Sequence, residues 1–306
     1  MTGAAGFIGQ ALCRALVRRG HEVRGVTRVT AAPIAGVKMR AIGNIGPQTE
    51  WARCLDGVDV VVHLATSAHR PVAEGTAKDE AGAAARLAQA ARTAGVRRLV
   101  HVSSIRAMGA TTGPGSRFHP ADPPAPTDPY GRAKLKIERA VAAVAQREGL
   151  ELVVLRPPLV YGPGVKGNFR ALLALAASGL PLPFAGLCNR RSLIFLDNLV
   201  DLLSVVSIHP AASGRVLLAR DTADLSITEL IQALGSGFGR RVKLFSVPPV
   251  LFSGLRHAPV VGPALRRLTL PLLVDDDETR GPLGWAPAIP AEIGLAETAR
   301  AYRAAF

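Results

Sequence analysis

The sequence predicts an α/β fold of the doubly wound kind, in which helices cover both faces of a parallel sheet, together with a smaller C-terminal lobe. Short apolar runs alternate with alanine-rich helical stretches through the first half of the chain, and this alternation is typical of βαβ units. A glycine-rich loop at residues 2–9 leads into the first helical stretch. The run at 58–64 is almost continuously apolar, as expected for a strand buried on both faces.

The elements of the first half follow one another in order. Residues 10–19 form a predicted helix with Leu12, Leu16 and Val17 on its inner face, and Gly20 ends it. The other predicted strands lie at 21–26, 99–103 and 152–155, and the other predicted helices at 80–94 and 130–147. A loop at 113–129 is rich in Gly and Pro, which keeps it out of helices and inner strands. Because the elements shorten after this half, we expect one domain over 1–165 and a smaller lobe over 166–306, with some segments of the lobe returning to the sheet.

The sequence contains no strand before the glycine-rich loop. A glycine-rich loop of this kind normally follows a central strand, yet here the loop begins at Thr2. Loss of that strand would leave its two neighbours unpaired inside the core. We therefore expect a few apolar residues to precede Met1 in the natural protein; the alternative is a truncated, destabilised or inactive chain.

Composition narrows the class of protein. The formal net charge is +14, but the arginine doublets are scattered and aromatic residues make up only 5% of the chain, so a nucleic-acid partner is not expected. The cysteines, Cys13, Cys54 and Cys188, are odd in number and far apart, which argues against a disulfide framework and a CxxC zinc site. The histidines lack partners at metal-ligand spacing, so no metal is predicted. Since no apolar run reaches the roughly 18 residues of a membrane span, we expect a cytoplasmic protein without an integral membrane segment.

The loop at residues 2–9 has the pattern of a dinucleotide-phosphate site. Gly3, Gly6 and Gly9 are spaced so that the backbone can turn tightly, approach a pyrophosphate and pack the next helix against the sheet. The positive N-terminus of that helix then favours the anion. The domain over 1–165 is therefore predicted to be a Rossmann-type dinucleotide-binding domain.

The end of the second predicted strand favours NADP over NAD. NAD sites usually carry an acid there for the ribose 2′-hydroxyl, but no Asp or Glu occurs between Glu22 and Glu50. Arg28 stands at this position, where its guanidinium would pair with a 2′-phosphate. The alternative is that Arg28 stacks on the adenine or faces solvent, and NAD stays possible. Asn44 is placed to contact the adenine edge.

A tyrosine and a lysine one helical turn apart predict a proton-transfer site. Lys134 follows Tyr130 at a spacing that puts both on one helix face, and its ammonium favours the phenolate by Coulomb attraction. Ser104, at the end of a predicted strand, would hydrogen-bond the substrate oxygen whose proton Tyr130 transfers. Ser103 is predicted to be a supporting neighbour.

With these motifs in place, the whole chain resembles the extended short-chain dehydrogenases/reductases of the NAD-dependent epimerase/dehydratase family, which act on nucleotide sugars. The resemblance includes the strings at 62–65, 156–164, 191–199 and 283–287. It implies that Ser104, Tyr130 and Lys134 are catalytic, that Asn168 and Arg191 contact the nucleotide diphosphate from a substrate-binding lobe, and that the partner is a UDP-sugar. The implied cofactor-binding residues are Gly3, Gly6, Phe7, Ile8, Gly9, Arg28, Asn44, Leu64, Ala65, Tyr130, Lys134 and Pro157. We expect a homodimer.

The chain departs from the family at one further place besides the missing strand. The family carries an Asn-x-x-Gly-Thr string on the helix before Gly95, where the Asn supports the active site. This chain has Glu80-Ala81-Gly82-Ala83-Ala84 instead.

The resemblance, together with the absence of an Asp or Glu that would bind the ribose 2′-hydroxyl of NAD, leads to three functional hypotheses. The stretches at 122–130 and 156–169 are most similar to enzymes of bacterial surface-polysaccharide synthesis, which favours NADPH-dependent 4-keto reduction of a UDP-4-keto-6-deoxy-hexosamine. The second hypothesis is a UDP-hexose 4-epimerase, acting on UDP-glucose or UDP-N-acetylglucosamine with retained NAD. The third is a non-catalytic dinucleotide-binding protein. A dehydratase is disfavoured, because Ile105-Arg106 stands where an acid/base pair would follow Ser104.

Overall fold

A parallel sheet with helices on both faces forms the first part of the chain, which confirms the predicted fold class. The computed structural model describes residues 1–65, 74–113, 115–248, 250, 254 and 262–305. Its strands are β1 (Val23–Thr27), β2 (Val37–Ala41), β3 (Val60–His63), β4 (Arg98–Val102), β5 (Glu151–Arg156), β6 (Leu159–Tyr161), β7 (Leu193–Phe195) and β8 (Val216–Leu218). The helices of the described residues are α1 (Phe7–Arg18), α2 (Ala52–Leu55), α3 (Glu74–Thr93), α4 (Pro129–Glu148), α5 (Gly167–Ala177), α6 (Leu196–Ile208), α7 (Ile227–Gly237), α8 (Gly262–Thr269), α9 (Asp277–Leu283) and α10 (Ala291–Ala304).

The main sheet consists of two parallel ladders joined at Thr2. One ladder pairs β1 with β2, and the other has the order β3-β4-β5-β8. Thr2 forms parallel bridges to both Val26 of β1 and His63 of β3. The resulting order is β2-β1-Thr2-β3-β4-β5-β8, and β6 and β7 form a separate parallel pair.

A cleft separates the amino-terminal parts of β1 and β3, on one side of the Thr2 bridges. Its volume is about 430 Å³, and it is lined by the facing strand residues Val23, Val60 and Val61 among others. The Met1 amino group lies at the end of the cleft next to Thr2 and donates a hydrogen bond to the Arg24 carbonyl at 2.7 Å. Burial lowers the pKa of this amino group to about 6. The centre of the sheet is thus open along most of one strand length.

Helices cover the two faces of the sheet. On one face α1 packs against α6, where Leu12, Leu199 and Leu203 share a buried cluster. On the other face α3 packs along α4, and the contact is built from alanines of α3 and branched residues such as Ile137 and Val141 of α4. Small alanine side chains let two helix backbones approach closely, so α3 and α4 are held near each other along their length.

The second part of the chain supplies β8 to the main sheet and α6 to the layer that covers it, and much of the rest forms a lobe beside the sheet. A buried cluster there joins residues of α5, β7, α7 and α10. The Tyr161 hydroxyl donates a 2.6 Å hydrogen bond to Asp221, which also accepts one from the Phe195 amide. No helix among the described residues has both the length and the apolar character needed to cross a membrane.

Candidate active site

Ser104 and Tyr130 meet at the carboxyl end of β4. β4 ends at Val102, and Ser104 begins the short 3-10 turn Ile105–Ala107, where its hydroxyl accepts a 3.2 Å hydrogen bond from the Arg106 amide. Tyr130 is the second residue of α4, and its side chain reaches Ser104, which lowers the pKa of Tyr130 against the effect of burial. The structure therefore brings together the two hydroxyl groups that the sequence predicts to share a substrate oxygen.

Lys134 completes this group from the next turn of α4. Its Nζ lies 5.6 Å from the centre of the Tyr130 ring, and the residue is only 4% exposed. Burial lowers the pKa of Lys134 to about 8, so the side chain still carries its charge at neutral pH. Burial raises the pKa of Tyr130, whereas the Ser104 hydrogen bond and the Arg106 charge act in the opposite direction.

A buried ion pair lies beneath these residues. Glu138, one further turn along α4, accepts hydrogen bonds from Arg156 of β5 at 3.1 Å from Nε and 2.6 Å from Nη2. The Ser103 hydroxyl donates a short hydrogen bond to the same carboxylate. Both charged side chains are at most 6% exposed, so α4 is joined to β4 and β5 next to the predicted proton-transfer site.

The first turn of α4 is fixed by Asp128 and Arg106, two residues that the sequence analysis missed. The Asp128 side chain caps the helix by accepting from the Gly131 amide at 3.0 Å, and it pairs with the Arg106 guanidinium at 2.5 Å. A Cβ on Gly131 would collide with the Arg106 carbonyl oxygen. The Asp-Pro pair directly before Tyr130 is a usual N-cap signal and could have identified Asp128.

The glycine-rich loop has the shape needed to hold a dinucleotide. Gly3 has φ +69°, and the Gly6 amide donates to its carbonyl at 2.9 Å. A Cβ on Gly9 would collide with the same carbonyl, so only glycine lets α1 approach the loop. α1 begins at Phe7 and Ile8 with no side-chain cap and no acid in its first turn. Its unpaired amides and positive end therefore suit a pyrophosphate.

Thr2 holds this loop against the end of β3, a contact that no local sequence pattern indicates. The Thr2 hydroxyl lies 2.7 Å from Nδ1 of His63 and accepts from the Leu64 and Ala65 amides at 3.2 Å each. Leu64 and Ala65 consequently border the loop. Pro157 is buried beyond β5, where its carbonyl accepts from the Ile105 amide at 2.9 Å, so it stands beside the Ser104 turn.

Arg28 and Asn44 lie at the adjacent ends of β1 and β2. Both are exposed, and the Gly43 amide donates to the Arg28 carbonyl at 3.0 Å. The structure thus places both residues at the carboxyl edge of the sheet, on the β1 side of the glycine-rich loop. Ser104, Tyr130 and Lys134 lie on the other side of that loop.

Arg191 and Asn168 come from the lobe. The Arg191 guanidinium donates a short hydrogen bond to the Leu270 carbonyl. Burial, and secondarily Arg106, lower its pKa to about 10, and in the described part of the chain no salt bridge balances its charge. Asn168 is exposed at the start of α5, and the next residue, Phe169, lines a small pocket together with Arg191. No group of three His, Cys, Asp or Glu side chains within the described ranges could hold a metal ion.

Fold and site together define an enzyme of the short-chain dehydrogenase/reductase type. The chain belongs to the NAD-dependent epimerase/dehydratase family, whose model matches residues 1–218. It is 33% identical to a UDP-glucose 4-epimerase of Vibrio cholerae over 99% of this chain and 94% of that protein.

Solved structures agree with this assignment. A structure of MoeE5 with UDP-glucose and NAD has a TM-score of 0.76 at 25% identity, covering 99% of this chain and 98% of MoeE5. UDP-glucuronic acid 4-epimerase from Bacillus cereus with NAD has a TM-score of 0.78 at 20% identity, with the same coverage, and it supports the fold.

Proposed function

We propose that the protein is a UDP-hexose 4-epimerase with a nicotinamide dinucleotide in the Gly3–Gly9 loop. The observation that carries the proposal is that Tyr130 meets Ser104 at the end of β4, with Lys134 one turn further along α4 and its Nζ 5.6 Å from the Tyr130 ring. This arrangement suits oxidation and reduction at one carbinol carbon, because Tyr130 can carry the hydroxyl proton and the Lys134 ammonium can stabilise the phenolate that results. Ile105 and Arg106 follow Ser104, so no carboxylate stands there to drive a dehydration. The similarity to the V. cholerae UDP-glucose 4-epimerase over nearly the whole chain supports the choice of substrate.

Each residue has one task in this reaction. The Tyr130 oxygen takes the proton of the sugar C4 hydroxyl and later returns it to the same oxygen, so no net proton is consumed. Ser104 hydrogen-bonds that oxygen and holds it in line with Tyr130. The Lys134 ammonium stabilises the phenolate by Coulomb attraction. The dinucleotide, when bound, supplies the acceptor and donor of the C4 hydride.

Arg191 is the proposed anchor for the UDP diphosphate. Arg191 is half-buried, no salt bridge among the described residues balances its charge, and both burial and Arg106 lower its pKa. An anion at this place would relieve that cost, and a guanidinium binds phosphate oxygens with two parallel hydrogen bonds. Asn168, near the same pocket, is proposed to add a neutral contact.

One observation favours a second candidate, the NADPH-dependent reduction of a UDP-4-keto-6-deoxy-hexosamine in polysaccharide synthesis. Arg28 is exposed at the end of β1, where an NAD enzyme would usually carry an acid. A 2′-phosphate would pair with this guanidinium. The catalytic residues would have the same roles, except that Tyr130 would give up its proton once per turnover and regain it from solvent.

The two candidates are separated by one pair of assays on the purified protein. The epimerase predicts conversion of UDP-glucose to UDP-galactose with NAD, lowered by about 10²–10⁴-fold in Tyr130→Phe and retained in the control Tyr302→Phe. Oxidation of NADPH by a UDP-4-keto-6-deoxy-hexosamine, without conversion of UDP-glucose, would replace the first proposal by the second. In that case Arg28→Asp should shift the preference from NADPH towards NADH.

A further inference from the structure

The geometry of α3 and α4 places a carboxylate beside Lys134. The two helices follow the parallel strands β3 and β4 and pack along each other, so their first halves lie at the same edge of the sheet. Ala84 and Ala88 of α3 are at most 1% exposed and belong to the cluster that includes Ile137 of α4. Glu80 precedes Ala84 by one turn, and residues four apart share a helix face. Glu80 therefore belongs to the stripe of α3 that faces α4.

Lys134 requires such a carboxylate because it is buried. A buried ammonium is costly unless an opposite charge lies near it. Glu138 is on the same helix, but its carboxylate is already engaged by Arg156 and Ser103. Asp128 is paired with Arg106 and caps α4.

Glu80 acts on Lys134 more strongly than Glu138 does. Of the charges that raise the pKa of Lys134 against the effect of burial, Glu80 is the larger and Glu138 the smaller. The buried imidazoles of His63 on β3 and His101 on β4 also face Lys134, and the charge of Lys134 contributes to the lowering of both their pKa values. These rings are neutral at pH 7, so they do not balance the ammonium.

We propose that Glu80 is a positioning residue that holds Lys134 as an ammonium ion beside Tyr130. The inference deepens the proposed function, on which it rests, because Lys134 assists Tyr130 only while it is charged. The enzyme of this chain would accordingly stay active to a higher pH than it would with a neutral residue at position 80.

The first test is the pH dependence of turnover in Glu80→Gln. In the parent, the rate should fall on the alkaline side near pH 8, where Lys134 loses its proton. Removing the opposite charge should move this fall to lower pH by about one unit, with kcat affected more than KM. Glu80→Asp should restore part of the shift. Asp79→Asn is the matched control, because Asp79 is the exposed neighbour on α3 and the same charge is removed.

A second measurement needs no substrate and so separates this inference from the proposed function. The pKa of Lys134 is about 8 in the folded protein and 10.5 without the fold, so stability should rise between these pH values as the folded protein sheds that proton first. The rise should begin at lower pH in Glu80→Gln and be absent in Lys134→Met. If turnover with UDP-sugars is absent but the rise still moves, the function is wrong and the role of Glu80 stands. A Glu80→Gln protein whose rate and stability profiles coincide with those of Asp79→Asn overturns the inference.

Discussion

Removing Glu138 should destabilise the protein strongly, because it leaves the Arg156 guanidinium charged and buried. The two side chains are 6% and 5% exposed, and their closest contact is 2.6 Å. Breaking a buried ion pair from one side costs about 3–5 kcal/mol, since the remaining charge has neither solvent nor partner. In Glu138→Ala we therefore expect the free energy of unfolding to fall by about that amount, and the melting temperature to fall by on the order of 10 °C.

The matched double variant separates charge from packing. Replacing both partners by apolar residues, as in Glu138→Leu with Arg156→Met, removes the uncompensated charge and is often neutral or stabilising. Urea unfolding at pH 7, followed by circular dichroism, should place the double variant within about 1–2 kcal/mol of the parent. The reasoning would be refuted if Glu138→Ala cost less than about 1 kcal/mol, or if the double variant were as unstable as the single one.

Three further predictions concern the sheet and the glycine-rich loop. Burial lowers the pKa of His63 to about 3, and both ring nitrogens of His101 lack a hydrogen-bond partner in the described structure. The free energy of unfolding should therefore fall as the pH drops from about 6.5 towards 3, by about 1.4 kcal/mol per pH unit for His63. In urea titrations, His101→Leu should raise the free energy of unfolding at pH 7 and reduce its dependence on acid pH. Gly9→Ala should abolish dinucleotide binding in calorimetry through its collision with the Gly3 carbonyl, whereas Gly20→Ala, in open space at the end of α1, should bind normally despite some strain. An apolar segment of about six residues fused before Met1 should raise the melting temperature by filling the cleft between β1 and β3, and a Gly/Ser segment of equal length should not; equal effects of the two fusions would contradict this account of the cleft.

The elements that the sequence predicts well are those whose signals are local. The sequence predicts α4 at 130–147, and the helix extends from Pro129 to Glu148; the agreement is close because Asp128, Pro129 and Gly149 mark its ends within the chain itself. The sequence predicts that α3 begins at residue 80, whereas it begins at Glu74. Its apolar spacing starts only at Ala81, so the preceding polar turns gave no periodic signal.

The same distinction holds for the candidate site. Tyr130 and Lys134 are one turn apart, and a spacing of four is visible in the sequence. The contacts of Thr2 with His63, and of Arg156 with Glu138, join separate elements of the sheet and its helices. Such pairs are set by tertiary packing, which no local spacing encodes, and the link between Glu80 and Lys134 is of the same kind.

The open cleft divides the main sheet into two ladders, and the proposed dinucleotide site spans the division. Arg28 and Asn44 follow the strands of the β1-β2 ladder. Ser104 follows β4 of the other ladder, and Tyr130 and Lys134 lie on α4, which packs beside that ladder. In the described residues the backbone segment from Met1 to Ala4 links the two ladders: Met1 and Ala4 bond to Val26 of β1, and Thr2 bonds to Val62 of β3. A ligand that contacts both ladders would hold them together across the cleft. Its binding free energy would therefore also oppose local unfolding of β1 and β2. Hydrogen exchange of these two strands would then report directly on occupancy of the site.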